Sequence, residues 1–200
     1  MSYELLDEAF EQIRIGGWVM YPLLITCLWM WYLIVKKTID MYFYTRGWRP
    51  THECIKNAGK EGFKSAFWQK KILDGFITEK TDNMSVNEQI LDSLKTSHEE
   101  FVKQDIGTIA ILAGIAPLLG LLGTVGGMIK TFTVIAEFGT GNAKALAGGI
   151  SEALLTTQTG LVVAVPGLFM AAFLTRRSNG ILERMQRFCL RVSRSTGMNN

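Results

Sequence analysis

Between Glu152 and Thr159 the sequence reads EALLTTQT, and five of these eight residues, Glu152, Thr156, Thr157, Gln158 and Thr159, carry polar side chains inside or at the edge of an apolar stretch. A second apolar stretch contains Thr124. Hydroxyl and amide groups can solvate a passing ion or hold a water chain, but none of them titrates near neutral pH. A lone threonine can satisfy its hydroxyl on the carbonyl four residues back and then face anything. Five polar side chains so close together point instead to a polar interior or a helix contact. Thr124, Thr157, Glu152 and Thr156 are therefore the candidate site residues. Glu152 admits two readings: a working carboxylate, or a charge resting at the outer interface, which avoids the cost of about 2.5–3.5 kcal/mol at the bilayer centre.

The composition says what must position these groups. Two hundred residues, 48% hydrophobic and 20% charged, with mean hydropathy +0.18, exclude a disordered chain and indicate a membrane protein. Twenty-one Lys and Arg against 18 Asp and Glu leave a net charge of +3, far short of a nucleic-acid binder's basic footprint. Crossing a hydrocarbon core takes about 20 apolar residues, and three uncharged stretches are long enough: residues 16–35, 106–129 and 153–175. The segment before the first span has Glu4, Asp7, Glu8 and Glu11 against Arg14, the reverse of a cleavable signal peptide, so span one is expected to stay. Lys36, Lys37, Arg46 and Arg49 follow span one, and six arginines from Arg176 to Arg194 follow span three. The positive-inside rule then predicts an outer amphipathic segment at 1–15, a cytoplasmic segment at 36–105, a short outer connector and the start of helix 3 at 130–152, and a cytoplasmic tail at 176–200.

The expected fold class is an all-α membrane protein with three transmembrane helices, the second and third extending into a cytoplasmic helical bundle. Val86, Ile90, Leu94, Phe101 and Val102 recur near helical spacing and predict a helix running without a break into span two. Ile181, Met185, Phe188 and Val192 predict the same for the tail. Gly59, Gly62 and Gly75 with Phe63, Phe67, Trp68 and Phe76 suggest shorter helices packed on that bundle. Cys27, Cys54 and Cys189 are too scattered for a disulfide framework or a zinc site and read as free thiols. His52 and His98 are isolated and read as solvated or packed. No catalytic set, cofactor loop or metal cluster is visible, so an enzyme is not expected.

Spans two and three are not plain lipid-facing helices. Gly107, Gly114, Gly120, Gly123, Gly126 and Gly127 lie in span two with Pro117; Gly160, Pro166 and Gly167 lie in span three. Small residues let helix backbones approach closely in lipid. Packing inside one subunit explains any single glycine, whereas six spread around one helix fit an oligomer better. Span one has aromatics toward both ends and no glycine run, the pattern of a lipid-facing helix. Thr124 is 18 positions after Ile106, and Thr157 is 18 positions before Thr175, which puts both hydroxyls at one depth, about 27 Å from the inner end. No Asp, Glu, His, Lys or Arg lies inside the three spans. A proton crossing here needs a titrating group from elsewhere, and that implies a second subunit.

Residues 115–128, IAPLLGLLGTVGGM, and 148–166, GGISEALLTTQTGLVVAVP, resemble the two signatures of the MotA/TolQ/ExbB proton-channel family. The resemblance is strongest over residues 106–175, and the loop and tail lengths are closer to ExbB and TolQ than to the larger MotA. It implies a homopentamer in the bacterial inner membrane, N-terminus periplasmic and C-terminus cytoplasmic, around an ExbD/TolR-like single-span dimer whose membrane aspartate carries the proton. A TonB-like or TolA-like protein would receive the work, with membrane lipid outside. By the same resemblance Thr124 and Thr157 are channel-facing, and Glu152 is the third helix's acidic residue; the resemblance thus implies that these three, with Thr156, line a channel. Gly126 stands where many ExbB and TolQ members have tryptophan, and Thr156, Gln158 and Thr159 make the belt more polar than the family's usual version. The function implied is conversion of proton-motive force into mechanical work for TonB-dependent outer-membrane transport. Alternatives are a TolQ-like envelope-maintenance motor, a MotA-like stator and a purely structural membrane scaffold.

Overall fold

The computed structural model describes residues 11–47, 49, 50, 54, 66–79, 81 and 83–197. Gly59, Gly62, Phe63 and His52 lie outside them, as does most of the predicted outer segment. The elements are α1 (Met20–Thr45), α2 (Phe67–Glu79), α3 (Met84–Lys103), α4 (Ile106–Phe138) and α5 (Ala143–Gly197), with a 3-10 turn at Gly139–Gly141. No strand occurs among the described residues. Three helices are long and apolar enough to cross a membrane, and they include α1, α4 and α5.

The helix ends follow from local chemistry. Asn83 opens α3 by accepting the Ser85 N–H at 3.1 Å, and Asn142 opens α5 by accepting the Ala145 N–H at 3.2 Å. Gly139, with φ of 67°, makes the reversal after α4. The stretch expected as a connector over 130–152 is therefore mostly helix, with the turn confined to the few residues from Gly139 to Asn142.

The helix expected to run unbroken into span two is interrupted. Gln104 closes α3 by donating its N–H to the Glu100 carbonyl at 2.8 Å. Asp105 then turns to φ 68°, a left-handed conformation that aspartate tolerates better than most residues. Its carboxylate accepts from Lys36 at 3.2 Å. Hydrophobic spacing records which side of a helix is buried, and a break of two residues barely disturbs that record.

The described residues pack as two compact units, one drawn from Met1–Ile34 and Gly107–Ala172 and one from Val35–Ile106 and Phe173–Asn200. In the first, Val19, Met20, Leu23 and Met30 of the α1 region are buried with Ile109, Ala113, Ala116 and Ala164. Trp18, Tyr21, Trp29 and Tyr32 stay exposed, as suits a lipid-facing surface.

In the second unit, the Trp68 ring of α2 is buried edge-on to Phe188 of α5, with ring centres 5.3 Å apart. Ile181, Met185 and Val192 complete the core beside Ile72 and Leu91. His98 is packed rather than solvated: its Nδ1 lies 2.7 Å from the Tyr44 hydroxyl. Burial, and then the nearby Lys71 charge, push its imidazole below the usual histidine range.

Candidate functional site

Along α4, Ala113, Ala116, Gly120, Gly123 and Gly127 follow one another by three or four residues; along α5, Gly149, Ala153, Thr156 and Gly160 do the same. That spacing keeps each set on one stripe. Both stripes are buried against each other. A methyl placed on Gly127 would stand 2.6 Å from the Gly149 carbonyl oxygen and 2.9 Å from Ala153 Cβ. One on Gly160 would stand 2.8 Å from the Ala116 carbonyl oxygen. The helices meet backbone to backbone because nothing larger than hydrogen separates them at these points.

The contacts set an antiparallel register. Ala113 opposes Gly167, Gly120 opposes Gly160, Gly127 opposes Ala153, and Gly149 opposes Thr131. In that register Thr124 and Thr157 stand one residue apart in level. At 3.6 residues per turn, each is rotated about 60° from its seam. In an antiparallel pair, equal rotation in the same sense puts both on one side. Thr124 donates its hydroxyl to the Leu121 carbonyl at 2.7 Å. Thr157 donates to Ala153 at 3.2 Å and reaches Gly120 at 3.5 Å. Both remain half-buried in the chain. Around them Leu121, Val125, Met128, Leu154, Leu161 and Leu168 are exposed. The result is an apolar face interrupted by two threonines.

The other candidates lie elsewhere. Thr156 was expected beside Thr157 in the lining, but it has 0% exposure. It fills the space left by Gly123, and its hydroxyl bonds the Glu152 and Ala153 carbonyls at 3.0 and 2.9 Å. It sits in the seam because successive residues of a helix turn by about 100°, so four polar neighbours cannot share a face. Gln158 is exposed, and Thr159 bonds its own helix at Leu155, 2.8 Å away.

Glu152 lies on the opposite side of the seam from the two threonines. Its carboxylate accepts two bonds from Lys130, at 2.8 and 2.6 Å. Its Oε1 also occupies the space that a side chain on Gly17 would need, and Gly17 has φ of 70°. Lys130 was not anticipated as a partner. The register that levels Thr124 with Thr157 would have found it, since Lys130 lies six residues beyond one and Glu152 five before the other.

The six glycines of span two divide evenly. Gly120, Gly123 and Gly127 meet α5, whereas Gly107, Gly114 and Gly126 would meet nothing within 4 Å. Packing within one chain thus explains three and leaves three on open faces.

Comparison with known proteins agrees with this architecture. The residue pattern of the MotA/TolQ/ExbB proton channel family matches residues 56–187. The biopolymer transport protein ExbB of Neisseria gonorrhoeae is 26% identical over 196 residues, covering 88% of each chain. That of Salmonella typhimurium is 27% identical over 178 residues, covering 80% of this chain and 72% of its own. The ExbB of Aquifex aeolicus is 40% identical over 83 residues, 42% of this chain and 56% of its own.

Proposed function

The chain belongs to the MotA/TolQ/ExbB proton channel family as an ExbB-like, multi-pass membrane subunit, and from this premise we propose that the Thr124–Thr157 face of α4 and α5 forms the wall of the proton pathway. Five copies would enclose it in a bacterial inner membrane, with the N-terminus periplasmic and the C-terminus cytoplasmic. The single observation that carries the reading is the division of polar groups across the seam. One side offers two half-buried hydroxyls in an apolar surface, and the other matches its carboxylate with Lys130. The wall therefore has hydrogen-bonding groups and no free titrating group of its own.

The proton carrier then comes from outside the chain, from the membrane carboxylate of an ExbD/TolR-like single-span dimer held at the centre. The threonine hydroxyls, by exchanging their bonds to Leu121 and Ala153, would donate to that carboxylate when it is charged and accept from it when it is protonated, while the leucines and valines around them exclude a continuous water column. Each proton descending 100 mV releases about 2.3 kcal/mol, which a TonB-like partner would spend on outer-membrane transport.

The test is Thr124→Val and Thr157→Val in the subunit co-expressed with its single-span partner, with proton influx into liposomes as the readout. Both variants are expected to assemble normally and to lose influx. Wild-type influx from both would refute the assignment.

A further inference from the structure

We infer that Lys130, Glu152 and Gly17 form an electrostatic clamp that holds the outer ends of α4 and α5 and the entry turn of α1 in register, and that Glu152 is a positioning residue and not a proton carrier. The inference goes beyond the proposed wall, and its account of flux rests on that reading.

Three observations converge. First, Lys130 reaches both oxygens of Glu152, at 2.8 and 2.6 Å, the lengths of charge-assisted bonds. Second, the Glu152 side chain is 12% exposed while that of Lys130 is 58% exposed. The carboxylate is thus the enclosed partner and the ammonium caps it from the more open side. Third, Gly17 supplies the remaining wall, because its missing side chain is what admits Oε1, and its φ of 70° suits glycine. Lys130 is six residues beyond Thr124, about 9 Å further along the helix. There it lies past the uncharged span, where an ammonium can stay hydrated while its partner is enclosed.

Such a pair needs both members. Removing Lys130 leaves the Glu152 carboxylate enclosed and uncompensated, which costs more than the intact pair yields. Charge reversal at both positions keeps the attraction. The charge pairing therefore requires opposite signs at 130 and 152, whereas the fit against Gly17 favours the carboxylate at 152. A proton carrier would require the acid at 152 itself.

The experiment uses the full chain in membranes, with Lys130→Glu, Glu152→Lys and the double exchange. Thermal stability of the detergent-extracted subunit is read first, and proton influx with the single-span partner second, as a function of pH. Each single reversal is expected to lower stability and lose influx, and the double exchange to recover a large part of both with the wild-type pH profile. Additive stability losses in the double exchange would overturn the clamp. Recovered stability without influx, or with a displaced pH profile, would overturn the positioning role and make Glu152 a proton-handling group. If even the wild-type subunit gives no influx, the channel-wall reading fails, while recovery of stability still decides the clamp.

Discussion

Gly126 and Gly127 are adjacent in sequence, yet the same substitution at each should have opposite effects. Alanine at 127 would put a methyl 2.6 Å from the Gly149 carbonyl oxygen and 2.9 Å from the Ala153 nitrogen and Cβ. The nearest atoms are backbone, so no side chain can swing aside. Reaching an ordinary contact of 3.4 Å would require α4 and α5 to part locally by about 0.8 Å, and forced overpacking of this kind costs about 1–3 kcal/mol. At 126 the methyl would meet nothing within 4 Å, and replacing a helical glycine by alanine gains up to about 1 kcal/mol. The two variants should thus differ by about 1–4 kcal/mol. Reversible unfolding in mixed detergent micelles, followed by helical ellipticity, measures the difference directly. Equal midpoints for the two variants, or a more stable Gly127→Ala, would refute the seam register and with it the placement of Thr124 and Thr157.

Two further outcomes follow from the same geometry. Thr156→Val should leave proton influx near the wild-type level, because Thr156 is fully enclosed in the seam whereas Thr124 and Thr157 are half-exposed; influx measured beside Thr157→Val separates the two neighbours. The second outcome concerns His98, whose folded imidazole is held below its ordinary range by burial and Lys71. Above about pH 6.5 neither folded nor unfolded chain is protonated there and stability is complete. As pH falls through that value the unfolded chain binds the proton first, so stability declines until the folded imidazole titrates as well. Unfolding midpoints measured downward from neutral pH should show this loss, and His98→Gln should reduce it.

Much of the architecture was legible in the linear order of residues. Three uncharged stretches of sufficient length require three crossings, because a charged group in hydrocarbon is costly and a helix rises by a fixed step per residue. Counting 18 residues from Ile106 to Thr124 and from Thr157 to Thr175 levels the two hydroxyls, and the register of α4 and α5 agrees with that count. The matching spans of α4 and α5, and the burial of Ile181, Met185, Phe188 and Val192, accord with that local periodicity.

Other features depended on which residues meet in space. Periodicity assigns a residue to a face but does not say what covers that face. Thr156 and Thr157 are equivalent by composition and adjacent in sequence, and only the position of Gly123 decides that one fills the seam while the other borders it. Glu152 reads equally as a working carboxylate or an interfacial charge in the sequence, and only packing brings Lys130 and the turn at Gly17 around it. The two-residue break at Gln104 and Asp105 was likewise invisible, since backbone dihedrals leave no mark on a hydrophobic pattern. Rise and repeat are properties of one helix and are written along it, whereas charge pairing and side-to-side rotation are properties of several helices and exist only once they have packed.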